Sequence, residues 1–399
     1  MTKQTRRRLL ATTGAATAGL AGLAGCLGDS DDEVGNGGNG GNGGNGGNGD
    51  TITSVADAEP LGSPVDSQAV SWDDLGDLEG ELTIYSGRTR DQIDPVFVAI
   101  DERYDDLELN VFYDDNDVYV NQILQEGDAT PADLMYSQDP GALGELERND
   151  ALQALPQDVV NAVPESYREP DGYWTGVTGR VRSIMYNSDR LDETDFDSWD
   201  ELPTDIMSYA TDDRFQDIIS TRPNSGTFRG FIQAMVELEG ENETREWVRG
   251  MVNDQNAQLF SGGSSQAEAV NRGGDDDPIV GLGNSYYAAR ILNEDPDAPI
   301  SVAFTENDPG CLFSVAGVGV MNDVDDPELV AEFIRHLLAA EGQEFMMDAN
   351  GEYPVVEGVD YVDDLPNLED INPPTFDLSN FDMDLREAQD LLNEEGMTV

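Results

Sequence analysis

Two adjacent tyrosines, Tyr286 and Tyr287, end a short apolar run and open an amphipathic one, in the stretch GLGNSYYAAR from 281 to 290. A phenol gives up its proton near pH ~10 in water, yet a hard trivalent cation displaces that proton and gains an anionic oxygen ligand. Two phenols side by side are therefore a candidate metal site, provided both reach one ion. In a continuing strand consecutive side chains point to opposite faces, but where a strand turns into a helix both can enter one crevice. Residues 278 to 282 read as a short buried strand and Ser285 as the cap of a helix opening at Tyr286. The bland alternative puts one ring in the core and the other on the surface, and the surrounding elements must decide.

Those elements repeat. From Glu81 onward an apolar strand, a Gly/Ser/Pro corner and an amphipathic helix alternate, the signature of α/β architecture. The first corner carries Ser86, Gly87 and Arg88 and the second Ser137, Gln138 and Pro140; the third carries Ser225, Gly226 and Thr227, and the fourth is the tyrosine corner with Asn284. In open parallel sheets ligands gather at the carboxyl ends of strands, and helix N-termini there offer free N–H groups to an anion. Residues 173–187 and 313–321 are two extended, small-residue segments that suit paired crossovers between two lobes. From Pro327 a strong amphipathic helix follows, with His336 expected at a lobe surface or interface.

Composition narrows the function. Eighty-two acidic residues face 21 basic ones, a net charge of −61, so most of the surface repels phosphates and nucleic acid is excluded as a partner. Lysine occurs once, at Lys3, and acid spread through patterned, aromatic-containing segments points to a folded halophilic protein. One histidine cannot build a zinc site, and Cys311 lacks the context of a nucleophile, so an enzyme is not expected. The N-terminus carries Arg6-Arg7 and an apolar run to Cys26, which resembles a twin-arginine export signal joined to a lipobox. Residues 1–26 then form a signal ending at a lipidated Cys26, and 27–78 an acidic, Asn/Gly-rich tether.

In chain order LTIYSGR (82–88), ADLMYSQDPGALGEL (132–146), GVTGRVRSIMYN (176–187), NSGTF (224–228), GLGNSYY (281–287), NDPGCLFSVAGVGV (307–320) and LLAAEGQEFM with EYPV (337–355) resemble one family. It is that of the extracellular solute-binding proteins of ABC importers, in the ferric-iron-binding, bacterial-transferrin-like branch of the type II periplasmic-binding fold, haloarchaeal in type. The resemblance implies a two-lobed α/β module over 79–399 with hinge crossovers and an interlobe cleft. Lobe 1 would span about 79–177 plus about 318–350, and lobe 2 about 178–317 plus the C-terminal segment. It implies Fe3+ as cargo with carbonate or phosphate as synergistic anion, Tyr286 and Tyr287 as metal ligands, and Asn284, Ser225, Gly226 and Thr227 as anion contacts. Arg88 would fork onto the anion, and Ser86, Gly87, Ser137 and Gln138 would line the cleft. Thr89, Gln138 and Phe228 stand where family members carry a histidine, a glutamate and a third tyrosine, leaving most of the coordination to an anion, water or a chelate. Partners would be a permease and its ATPase, reached by a monomer lipid-anchored to the outer face of the cytoplasmic membrane. Thiamine, polyamine or phosphonate is the alternative cargo on the same scaffold.

Overall fold

Strand, corner and helix recur because an apolar alternation gives way to a Gly/Ser/Pro turn and then to a 3.6-residue period. A computed structural model describes residues 52, 54–66, 69–362, 365–374, 383 and 385–398. Arg6, Arg7, Cys26 and the glycine-rich tract lie outside these residues. In chain order the first elements are β1 (Gly80–Ser86), α1 (Arg90–Arg103), β2 (Leu107–Tyr113), α2 (Asn116–Glu126), β3 (Leu134–Ser137), α3 (Pro140–Arg148), β4 (Leu152–Gln153) and α4 (Gln157–Ala162). The long β5 (Trp174–Asn187) is followed by β6 (Ile219–Thr221), α5 (Gly226–Glu239), α6 (Glu241–Arg249), β7 (Gln258–Leu259), α7 (Gly263–Arg272), β8 (Val280–Asn284), α8 (Tyr286–Glu294) and β9 (Ile300–Ala303). The chain continues through β10 (Phe313–Met321), α9 (Pro327–Leu338), α10 (Ala340–Asn350) and β11 (Tyr353–Pro354) to α11 (Leu385–Glu394).

The strand order is β2-β1-β3-β10-β5-β8-β6-β7, with β4 beside β10 and β9 and β11 beside β5. β5 belongs to both halves. Its first part, Trp174 to Val181, pairs antiparallel with β10, and Arg182 to Tyr186 pair with β8. The change of sheet thus falls at Val181/Arg182, and β10 lies wholly with β3 and the first part of β5, so the sheet halves divide a few residues away from the expected 177/178 and 317/318. Along the β5–β10 pair the register slips once: Ala316 faces Thr178 but Gly317 faces Gly176, so β5 holds one extra residue, Val177. One buried cluster fills the β1–β3 half and runs on beneath α8 and β9; a second is built from β6, β8, α5, α6 and the C-terminal Ala388, Leu391 and Leu392.

The end of the expected tether is part of the body, which runs from Thr51 to Val399. Val55, Ala58, Val65, Trp72 and Leu78 are buried against the β1–β3 half. Polar side chains of α9 and α10 hold the backbone between them. Glu332 accepts from the N–H groups of Gly76 (2.8 Å) and Leu61 (3.4 Å), Arg335 donates to the Ala58 carbonyl (2.8 Å), and Glu341 accepts from the Trp72 N–H (2.9 Å). A few apolar anchors and borrowed hydrogen bonds are enough to order a stretch whose composition alone reads as linker. This strap also corrects the expectation for His336. With both faces of α9 covered, the ring is fully buried, 2.6 Å from the Tyr104 hydroxyl and 2.8 Å from the Glu332 carbonyl.

Candidate functional site

β8 lies two residues further along than the sequence pattern suggests, and Ser285 is already helical (φ −57, ψ −32), so its hydroxyl does not cap α8. The Ser285 N–H instead donates to the Val181 carbonyl (2.9 Å), which fastens the corner to β5 where that strand changes sheets. The Tyr286 and Tyr287 rings sit together, centroids 4.2 Å apart at 45°. Gly263, at the start of α7, makes room for this: any Cβ there would overlap the Tyr287 ring. Arg222 donates from Nη1 to the Tyr287 hydroxyl (2.9 Å). Arg290, one helical turn on, lies 5.2 Å from the Tyr286 centroid and 5.9 Å from that of Tyr287, its Nε donating to the Asn350 carbonyl. Burial, and then the neighbouring Tyr286, push the Tyr287 phenol well above its ordinary range, with Arg222 and Arg290 opposing. A phenol so placed keeps its proton until a cation displaces it.

The anion-contact candidates converge on the same corner. Asn284 Nδ2 is 3.4 Å from both the Thr227 hydroxyl and the Tyr286 hydroxyl. Thr227 lies in the first turn of α5, which Ser225 caps by accepting from the Phe228 N–H (3.1 Å). At Gly226 the first atom a Cβ would meet is the Arg229 guanidinium, 3.9 Å away, so this turn faces open space. Free N–H groups of a first helical turn are an anion site in waiting.

Arg182 faces Asn284 in the β5–β8 register and is 5 % exposed. Its side chain makes no hydrogen bond or ion pair among the described residues; its guanidinium lies 4.1 Å from the Phe231 centroid and 5.2 Å from that of Phe228. Burial pulls it down to about 9, the Tyr286 phenol opposing, which still leaves it charged at neutral pH. Phe228, where a third tyrosine was in question, is a core ring beneath that cation.

The first two corners do a different job. Arg88 is 1 % exposed and gives both terminal nitrogens to Glu352 (2.8 and 2.9 Å) and Nη1 also to the Thr178 hydroxyl (3.2 Å). Its fork is therefore occupied by an internal carboxylate, and the expectation that it clasps the anion is corrected. Burial pushes the Glu352 carboxyl up, but Arg88 and then Arg180 more than offset this and hold it below its ordinary range. Ser86 and Ser137 are fully buried, their hydroxyls turned onto the Arg88 and Asp139 carbonyls of their own corners. Gly87 lies against Asn116, whose side chain accepts from the Gln138 N–H (3.2 Å), and Arg180 donates to the Gln138 carbonyl. Thr89 is the exposed N-cap of α1. Among the described residues no group of three His, Cys, Asp or Glu side chains could hold a metal ion.

Sequence reasoning passed over Arg182, Arg222, Arg290 and Gly263. The available signal was Thr178, Arg180 and Arg182 at alternate positions of a strand otherwise free of charge, which places two guanidiniums on one face.

The profile of a family described as bacterial extracellular solute-binding protein matches residues 129–380. Iron uptake protein A1 of Synechocystis sp. is 26 % identical over 353 residues, covering 86 % of this chain and 95 % of that protein. The major ferric iron-binding protein of Neisseria meningitidis serogroup A is 25 % identical over 283 residues, 69 % of this chain and 81 % of its own. Among solved structures, iron-bound HitA from Pseudomonas aeruginosa superposes with a TM-score of 0.64 at 23 % identity, over 79 % of this chain and 99 % of that one. The FutA protein of Trichodesmium, in complex with iron and citrate ligands, gives 0.64 at 24 % identity over 80 % and 100 %. The fold is shared with both.

Proposed function

The chain belongs to the bacterial extracellular solute-binding protein family, and from that premise we propose that it captures ferric iron and passes it to an ABC permease and its ATPase. The observation that carries this reading is the pair of touching phenols at the β8–α8 corner, with Arg222 on one hydroxyl and the open first turn of α5 reached through Asn284. Two phenolates would hold the ion, and an oxyanion on the α5 turn would complete its coordination. Relatives named for iron uptake and for ferric iron binding support the cargo. Arg182, Arg222 and Arg290 favour a cargo that brings an oxyanion with it, as ferric iron does in this reading and a thiamine or polyamine cation alone does not. The role is binding, not catalysis.

Titrating ferric iron into the parent, Tyr286→Phe and Tyr287→Phe proteins tests the reading. The parent should gain a visible phenolate-to-iron band, and each substitution should weaken binding by orders of magnitude and shift or abolish the band. A parent that takes up no iron, or two variants that bind and colour as the parent does, would refute it. The Arg6-Arg7 pair and Cys26 support export by the twin-arginine route and lipid anchoring at the outer face of the cytoplasmic membrane. Release of a Cys26→Ala form to the medium is the expected outcome, and its retention in the membrane fraction would overturn the anchoring.

A further inference from the structure

α10 ends in a buried turn that touches two corners at once. Asn350 and Glu352 are 1 % and 3 % exposed, and Gly351 between them takes a left-handed backbone (φ 66, ψ 22). The Asn350 carbonyl accepts from Arg290 Nε (2.9 Å), and its Nδ2 donates to the Gln92 carbonyl in the first turn of α1 (2.8 Å). The Gly351 N–H closes onto the Met347 carbonyl (2.7 Å), and the Gly351 carbonyl accepts from the Tyr361 hydroxyl. Tyr361 is itself held flat on Tyr353, centroids 3.7 Å apart at 19°. Glu352 takes the Arg88 fork and the Thr178 hydroxyl. One turn is thereby fastened to α1, to the β1 corner, to β5 and to the helix that opens with Tyr286 and Tyr287.

A left-handed glycine after a helix is the ordinary way to stop one. Gly351 meets a second constraint. A Cβ there would stand 2.7 Å from the Tyr286 carbonyl oxygen, 3.0 Å from Ala289 Cβ and 3.4 Å from Arg290 Cγ. The nearest of these is backbone, so it yields only if the first turn of α8 moves. α8 thus rests on the bare Cα of Gly351, while the Asn350 carbonyl fixes the guanidinium that lies over both rings. Resting on the reading of the tyrosine corner as the cargo site, we propose that Asn350, Gly351 and Glu352 are positioning residues for cargo binding. Gly351 sets the seat of α8, Asn350 sets the angle of Arg290, and Glu352 ties the turn to the β1 corner through Arg88. They act through Tyr286, Tyr287 and Arg290 and not on the cargo. Two oxygens that must meet one ion tolerate a displacement of only about 0.5 Å, so the seat of the helix decides whether both reach it.

The full-length parent, Gly351→Ala, Gly351→Asn and Gly358→Ala proteins are compared for ferric iron affinity, for the phenolate-to-iron band and for guanidinium unfolding. Gly358 also has a positive φ (+89), but a Cβ there meets nothing nearer than 3.9 Å, so its variant carries backbone strain without the collision. Asparagine accepts a left-handed backbone, so Gly351→Asn keeps the collision with much of the strain relieved. Both Gly351 variants should bind iron at least about tenfold more weakly than the parent and shift the band, whereas Gly358→Ala should match the parent in both. Gly351→Asn should unfold closer to the parent than Gly351→Ala does, yet bind no better, and it carries the test if the alanine variant does not fold. Arg290→Lys, which keeps the cation without the planar fork that spans the Asn350 carbonyl and the rings, should also weaken binding and shift the band. Gly351 variants that bind and colour as the parent does overturn the proposal and leave the ferric reading standing, as does an equal loss in Gly358→Ala. A parent-like Arg290→Lys overturns the part assigned to Asn350. A parent that takes up no iron overturns both the proposal and the ferric reading.

Discussion

Replacing Arg88 by alanine separates two roles that its position near the β1 corner could support. Its side chain and that of Glu352 are 0 % and 4 % exposed, and the pair is bidentate at 2.8 and 2.9 Å. Breaking a buried pair from one side costs about 3–5 kcal/mol, because the remaining charge is left without compensation. Glu352 keeps the Thr178 hydroxyl at 2.7 Å and the field of Arg180, so the low end, about 3 kcal/mol, is expected. That is a large part of the roughly 5–15 kcal/mol that holds a folded domain. Guanidinium unfolding of the full-length parent and variant reads it directly, and a double Arg88→Met, Glu352→Met variant should recover most of the loss. The pH dependence has a definite sign. The folded-state carboxyl of Glu352 is depressed, so its contribution is complete above the ordinary value of 4.5 and is lost as pH falls through the folded-state value. The gap between parent and Arg88→Ala should therefore close in acid. A gap under about 1 kcal/mol at neutral pH, or iron uptake by Arg88→Ala that depends more steeply on added carbonate, would show that Arg88 serves the anion after all.

Two further outcomes follow from the strap and from the phenol. Glu332→Ala leaves the Gly76 and Leu61 N–H groups without their acceptor and Arg335 with Asp158 as its one remaining carboxylate, so a loss of about 2–4 kcal/mol and early protease cleavage between residues 58 and 76 are expected; unchanged unfolding would refute the strap. Because Tyr287 holds its proton above the ordinary phenol range, iron binding must expel it. Apparent affinity should climb by up to about tenfold per pH unit for that proton between pH ~6 and ~9, and Tyr287→Phe should lower the slope of log affinity against pH by about one. Equal slopes would show that Tyr287 is not a ligand.

The four corners were legible because each is local: alternating apolar residues, then Gly, Ser or Pro, then a helical period, all within about fifteen residues. The convergence of Asn284, Thr227 and the tyrosines could be read from the family resemblance, since each is a named position at a corner. Arg88 could not. Its partner Glu352 lies 264 positions away, and nothing near Arg88 announces that its fork is already filled. Arg182 is the reverse case: its freedom depends on Phe228 and Phe231 walling it off, which no spacing rule reveals. The strap was misread because a segment that borrows order from Glu332, Arg335 and Glu341 needs few apolar residues of its own.

The pairing of β5 with β10 sets the parity of the site. A strand presents its side chains alternately up and down, so beyond the slip at Val177 the pairing of Thr178 with Ala316 decides which side receives Thr178, Arg180 and Arg182. Deleting Val177 would leave a regular strand in which Gly176 still faces Gly317 and Thr178 still faces Ala316, so the two guanidiniums would keep their side of the sheet and only the local bend would be lost. A single insertion or deletion in the regular run between Thr178 and Arg182 would instead turn Arg182 over relative to Thr178, whereas a change of two residues preserves its sense. Length in this strand is counted in twos.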